Sequence, residues 1–372
     1  MTWWKISLGI AFLLVSTVGV YEWLDNDEPE HELGTSVVNA EPSPSPKPNF
    51  ASSSEHLKHP PFECRKLYDE ICYKPNKKDP TGRSALTPES EAKVLRMFEE
   101  LVRAHPQETP DKIDERLVKK IYTKERTQTL HRLFTRTKQL LVKMILKLTG
   151  KNQEAGDFYR ARLDKIKLEL PPPATLYSDE RAILTGDDAL FYEVGDVPSK
   201  IRIGGALVST IDSQFNLIQT LAHELAHALS PCSISKSNIS WAFYTRALKC
   251  LGYTKEKVLI ECSHPGKMNE IIADWFAAGV VAEIIHDEMN SFNYDEKRAA
   301  IKNSVRDLCD YGTDTTPDPK HDWSKAHPSG IERINGIFAQ NPRIQSTLQC
   351  LPRPQQQNFR IPGECFKWIE LE

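Results

Sequence analysis

His223-Glu224-Leu-Ala-His227 is the stretch of this chain whose residue types and spacing are best suited to chemistry. On a helix, positions i and i+4 share one face a turn apart, so both imidazoles can reach a single Zn²⁺. Glu224 lies beside the pair, where a carboxylate can take the proton of a water that the metal has made acidic. Leu217, Leu221, Ala222, Leu225 and Leu229 surround these residues with an apolar helical pattern, so the helix is expected to be buried. Polar groups in a buried helix are costly unless something pairs with them. A shared metal does that, whereas isolated helical histidines are usually structural.

A catalytic zinc site needs a third protein ligand and an open position. A histidine at 233 would complete the metzincin pattern, but Ser233 stands there. Downstream, Met268-Asn269-Glu270-Ile271-Ile272-Ala273-Asp274 opens another apolar helix that also carries Trp275 and Phe276. Glu270 and Asp274 are again i and i+4. Glu270 is expected to be the third ligand, and Asp274 the acceptor that orients a liganding imidazole. His264, His286 and Asp314 compete for the third place, the last within a Gly312-Thr313-Asp314 stretch that faintly echoes aspartate-ligand zinc proteases.

These residues need elements to position them. Asp212 or Ser213 is expected to open the histidine helix, and helices dominate from there onward. Short strands are expected at Ala174–Tyr177, Ala189–Val194 and Ile201–Val208, separated by Gly-Asp turns. Upstream, 62–168 reads as helical. Thr87 and Pro88 open one helix and Pro106 closes it. Leu130, Leu133, Phe134, Leu140, Leu141, Met144, Ile145 and Leu148 then recur at helical spacing up to Gly150. Residues 111–168 are rich in Lys and Arg, read as a solvated face, with an anion-binding face as the alternative. Pro171-Pro172-Pro173 ends that region. The fold class is therefore α+β, mostly helical, with a helical region at 62–170 and the chemistry at 171–372.

The first residues read differently. Ile6–Tyr21 is a nearly unbroken apolar run, with Lys5 before it and Asp25, Asp27, Glu28 and Glu30 after it. That asymmetry directs the remainder of the chain away from the cytoplasm. Residues 1–24 are thus an N-terminal membrane anchor or a cleaved signal, Trp3, Trp4, Tyr21 and Trp23 favouring the anchor. Residues 25–61, with seven prolines (Pro29, Pro42, Pro44, Pro46, Pro48, Pro60 and Pro61), are a solvated tether. All eight cysteines (64, 72, 232, 250, 262, 309, 350 and 365) lie beyond the apolar run and none forms a CxxC. An even count in an exported chain points to disulfides. With 48 Lys and Arg against 51 Asp and Glu, the net charge of −3 excludes a bulk nucleic-acid binder. A mean hydropathy of −0.47 excludes a multi-span membrane protein.

Taken together, His223-Glu224-x-x-His227 and Glu270-x-x-x-Asp274 make the gluzincin arrangement, and further segments resemble the neprilysin family. Ala326-His327-Pro328-Ser329-Gly330-Ile331-Glu332-Arg333-Ile334-Asn335-Gly336 is similar to that family's late His-Pro/Ser…Arg segment. Asn341-Pro342, Cys350 and the terminal Cys365-Phe366-Lys367-Trp368 resemble its Asn, Cys and Cys-x-x-Trp. Cys64 and Cys72 have the spacing of its paired cysteines after the anchor. HtpX-type membrane proteases share the metal motifs and a late His-Pro…Arg, but lack this cysteine frame. The resemblance covers 188–368 and implies a zincin-like catalytic domain. It implies that His327 donates to the oxyanion and that Arg333 holds a substrate carbonyl. It also implies that Ala189–Tyr192 is an edge strand for bound peptide, although Asp187-Asp188 replaces the usual Asn there. The implied disulfides are Cys64–Cys350, Cys72–Cys309 and Cys262–Cys365, leaving Cys232–Cys250. The family's chains are about twice as long, so 62–170 is at most a reduced cap over the site.

The expected protein is a membrane-tethered zinc metallopeptidase acting on peptides or proteins outside the cytoplasm, with one Zn²⁺ on His223, His227 and Glu270. Glu224, Asp274, His327 and Arg333 are the expected catalytic groups. The alternative is a disulfide-stapled envelope protein whose zinc is structural.

Overall fold

Caps and turn residues set many of the element boundaries, and a single apolar helix gathers the elements around it. The computed structural model describes residues 64–72, 87–170, 189–194, 197–211, 215, 217–235, 239–240, 242–263, 267–288, 291–311, 327–350 and 361–371. The expected anchor and tether, the Pro171–Pro173 break, the strand at 174–177, Asp187-Asp188, the Asp212/Ser213 cap, His264 and Asp314 lie outside the described residues. Among the described residues no helix is long and apolar enough to cross a membrane.

A short helix α1 (Leu67–Cys72) precedes four longer ones: α2 (Thr87–Ala104), α3 (Pro110–Ile121), α4 (Lys124–Thr149) and α5 (Gln153–Lys165). Thr123 caps α4 by accepting the Arg126 N–H, and Gly150, at φ 56°, ends it by donating to the Leu146 carbonyl. The α4 residues expected at helical spacing, from Leu130 to Leu148, are all buried. Burying each such side chain is worth about 1.5–3 kcal/mol relative to leaving it in water.

Strands β1 (Lys167–Leu168), β2 (Ala189–Val194) and β3 (Val197–Ile203) form a three-stranded sheet in the order β1-β3-β2. β1 runs parallel to β3, with Leu168 opposite Ile201. β2 pairs antiparallel with β3 from Ala189–Ile203 to Val194–Val197, with a register shift between Tyr192 and Glu193. β2 falls where the sequence places it. The next strand does not: pairing spans 197–203 instead of 201–208, and Gly205–Ser209 is a short helix, α6. Gly204 precedes that helix, and all five of its residues are buried, a situation in which apolar runs of strand and helix read alike.

The remaining helices are α7 (Ile218–Ala226), α8 (Pro231–Ser235), α9 (Tyr244–Cys250), α10 (Lys255–Ser263), α11 (Lys267–Glu288), α12 (Tyr294–Ser304), α13 (Gly330–Gly336) and α14 (Pro342–Thr347). α11 is apolar on nearly every side, as expected of a helix enclosed by others. Ile271, Ile272, Ala273, Trp275, Phe276, Val280 and Ile284 are all buried, and α4, α7, α12 and α14 pack around it. A Cβ at Gly279 would come within 3.0 Å of Ile369 and 3.2 Å of Met144, so the missing side chain lets α4 and the C-terminal turn meet α11.

Lys58–Glu372 is one compact unit, which contains both 62–170 and 171–372. The helical region is part of the same core, with α4 on α7 and α11, and α5 on β3. α1 is tied in by the Tyr68 N–H on Asn335 Oδ1 (2.9 Å) and by Glu70, which accepts from both Arg298 and Lys302.

All eight cysteines are paired. Cys64–Cys350 and Cys72–Cys309 are as expected. The other two correct the expectation: the bridges are Cys232–Cys262 and Cys250–Cys365, not Cys262–Cys365 and Cys232–Cys250. The cause is packing. α8 lies against α10, which puts Cys232 beside Cys262, while α9 meets the turn Gly363–Trp368, which puts Cys250 beside Cys365. Their Cα separations, 5.1 and 5.6 Å, are ordinary for disulfides.

Candidate metal centre

α7 and α11 make the most extensive helix–helix contact of the fold, and the candidate site lies between them. His223 is on the last turn of α7. His227 follows its end and opens a single 3₁₀ turn, His227–Leu229. Glu270 and Asp274 project from successive turns of α11. His223 Nε2 and His227 Nε2 are 3.2 Å apart. Glu270 Oε2 is 3.1 Å from His223 Nε2, and Glu270 Oε1 is 3.7 Å from His227 Nε2.

These three residues form the one His/Cys/Asp/Glu group among the described residues able to hold a metal ion. Two ligands held about 2.05 Å from one tetrahedral ion lie about 3.3 Å apart; His223 Nε2 stands close to that distance from both His227 Nε2 and Glu270 Oε2, and one ligand atom from each of the three residues falls within 4.8 Å of the others. Glu270 Oε2 is buried and, although close to imidazole nitrogens, receives no well-directed hydrogen bond. A cation at the common point would satisfy it.

Behind the ligands is a buried clamp. Asp274 Oδ1 lies 2.9 Å from His223 Nδ1. Arg333, from α13, donates to both Asp274 oxygens, each at 2.7 Å. Asp274 is 0% exposed and Arg333 1%. The guanidinium of Arg333, expected from the resemblance to hold a substrate carbonyl, thus commits Nε and Nη2 to Asp274.

His327 lies at the site, its Nε2 3.1 Å from Glu270 Oε2. Two residues later Ser329 caps α13 in a reciprocal box: Glu332 donates its N–H to Ser329 Oγ and accepts the Ser329 N–H. Lys267, the first residue of α11, donates to Glu332 at 3.1 Å, so the segment bearing His327 is joined to the helix bearing Glu270. His286, a rival third ligand, is exposed near the other end of α11.

The groups differ in how they hold protons. Burial opposes charge on His223, but the Asp274 carboxylate and Glu270 outweigh it and raise its pKa to about 10. Burial lowers His227 to about 4. It also pushes the Glu224 carboxyl up to about 7, helped by the Glu270 charge and opposed by His223 and Arg333. Glu270 and Asp274 are held below the usual carboxylate range despite burial, Glu270 by the imidazoles and Asp274 by Arg333 and His223. Of the two imidazoles, His223 is thus the one whose surroundings favour the protonated form.

Sequence reasoning missed Phe191, on β2, whose ring faces His227 with centroids 6.2 Å apart and planes at 25°. It also missed the Lys267–Glu332 tie. Neither leaves a local pattern, since each joins residues far apart in the chain. No family model, curated protein or solved structure matches the chain.

Proposed function

We propose that this protein is a zinc metallopeptidase with a zincin-like body that hydrolyses peptide bonds outside the cytoplasm, tethered to a membrane by its N-terminal segment. The observation that carries the reading is the triangle of His223, His227 and Glu270, with Glu224 on the turn between the two histidines. Two imidazoles and one carboxylate are a donor set suited to zinc, and three protein ligands are what a catalytic site keeps. Held there, Zn²⁺ would polarise the scissile carbonyl and bring the pKa of a water toward about 7.

The chain's own groups have the remaining tasks. Asp274 takes up the Nδ1 side of His223 and leaves Nε2 facing the ligand triangle, and Arg333 fixes Asp274. Glu224, with a pKa near 7, accepts the proton of the attacking water and passes it to the leaving amine. His327 donates Nε2–H toward the oxygen on which negative charge develops. Among the described residues β2 is an outer strand of its sheet, so its free edge can pair with an extended peptide. Four disulfides fit an oxidising compartment, in keeping with the exported chain expected from the sequence.

One contact favours the structural-zinc reading: His327 is close enough to Glu270 to be drawn into the ligand set. Glu224→Gln separates the two. Zinc near one per chain in wild type and variant, with quenched peptides cleaved by wild type and turnover falling by about 10²–10⁴ in the variant, supports the peptidase. Zinc in both with equal or absent cleavage favours a structural site. A folded, oxidised chain that takes up no zinc removes the metal argument.

A further inference from the structure

The two histidines of the candidate centre are held by different means. His223 is held through its side chain, with Asp274 at its Nδ1 and Arg333 behind Asp274. Among the described residues the ring of His227 meets His223, Glu270 and Phe191, and nothing hydrogen-bonds to its Nδ1. Its orientation therefore depends on its backbone.

That backbone is the end of α7, where the last carbonyls of a helix lack intrahelical donors. Here the three carbonyls after His227 each receive a side chain. Ala228 O accepts from Arg162 Nε at 3.1 Å. Leu229 O accepts the Tyr244 hydroxyl. Ser230 O accepts the Tyr159 hydroxyl at 3.1 Å, alongside the Ser233 N–H at 3.0 Å. Arg162 also donates to Ser233 Oγ at 3.0 Å. All three side chains are buried, Arg162 at 7% exposure, Tyr244 at 1% and Tyr159 at 0%. Arg162 brings a cation to the negative end of the helix. The turn is joined to the third ligand as well, because Ser230 Oγ donates at 2.6 Å to Oδ1 of Asn269, the neighbour of Glu270.

We infer that Arg162, Tyr159 and Tyr244 are positioning residues of the metal centre, which set the His227 imidazole by capping the carbonyls of Ala228, Leu229 and Ser230. The inference rests on the metal-centre reading above. Metal–ligand distances tolerate only about 0.2 Å, so a small displacement of this turn weakens the ligand triangle before it unfolds anything.

The test uses the full chain, oxidised, and measures zinc affinity by chelator competition and the visible spectrum of the Co²⁺ form. Tyr244→Phe and Tyr159→Phe are each expected to weaken zinc by about 10-fold and Arg162→Met by up to about 100-fold, with a shifted Co²⁺ band; Arg162→Lys recovers part of the loss. Tyr122→Phe is the control, since it deletes a buried hydroxyl–carbonyl bond of the same kind (to Ile203, 2.9 Å) away from the turn. It is expected to lower stability and leave zinc affinity and spectrum unchanged. If Arg162→Met does not fold, the two tyrosine variants decide. Variants that match wild type in zinc affinity and Co²⁺ spectrum, or a control that weakens zinc equally, overturn the inference alone. A wild type that holds no zinc overturns it together with the metal reading.

Discussion

Replacing Arg333 by Met distinguishes a buried clamp from a substrate-binding arginine. Its guanidinium makes two 2.7 Å hydrogen bonds to the two oxygens of a carboxylate that is fully buried. Removing one partner of a buried ion pair costs about 3–5 kcal/mol when the other is left uncompensated, and because Asp274 keeps His223 at 2.9 Å the loss for Arg333→Met should fall at the lower end of that range. Asp274→Asn should cost a similar amount, because it strands the guanidinium. The double variant Asp274→Asn/Arg333→Met removes the ion pair whole, and His223 without the Asp274 charge is free to give up its proton, so it should lose little more than either single change. The corresponding coupling is about 3 kcal/mol, the upper end for residues in one network. Urea unfolding gives all four free energies, with disulfides intact and zinc removed by chelator so that metal binding does not add to stability. Losses below about 1 kcal/mol for Arg333→Met, additivity in the cycle, and a raised KM for peptides would together refute the clamp and return Arg333 to the substrate.

Three other outcomes can be measured. Because the His223 pKa of the metal-free site is raised to about 10, zinc must displace its proton; near pH 8.5, above the Glu224 value of about 7, calorimetry in buffers of different ionisation enthalpy should record one to two protons released per zinc, one from His223 and up to one from a water the metal has made acidic, and affinity should fall between about tenfold and a hundredfold per unit as the pH is lowered. Non-reducing peptide mapping should recover Cys232–Cys262 and Cys250–Cys365 links, and Cys232→Ala/Cys262→Ala, which opens a loop of 30 residues, should cost about 3–4 kcal/mol; a Cys232–Cys250 peptide would contradict the packing of α8 on α10. Ser329→Ala, which removes the cap of α13, should cost about 1 kcal/mol of stability and lower peptide turnover with zinc content unchanged, because His327 loses its frame; unchanged turnover would separate His327 from the reaction.

What could be read from the sequence was whatever has a period. The i, i+4 pairs His223/His227 and Glu270/Asp274 each share a helix face, and the apolar positions of α4 and α11 gave burial correctly. β2 was legible as a short apolar run bounded by Gly-Asp turns. Features that depend on tertiary approach were not. Residues 205–208 are small or apolar and fully enclosed, and nothing local says whether such a run is strand or helix. Cys232 and Cys250 are nearer in sequence than Cys250 and Cys365, yet α9 ends against the C-terminal turn. The resemblance implies a substrate contact for Arg333, and nothing local in the sequence shows its two bonds to Asp274, 59 residues away. The carbonyls of 228–230 are invisible in a sequence, and so are the side chains that reach them from α5 and α9.

The cysteine bridges have a topological consequence for a molecule proposed to cut polypeptides. Cys64–Cys350 spans every peptide bond between those residues, and Cys250–Cys365 spans the stretch from Cys350 to Cys365. No single scission between Cys64 and Cys365 can divide the chain into separate pieces. A copy nicked by itself, or by a neighbour, would keep its covalent continuity. Its damage would show on an electrophoresis gel only after reduction.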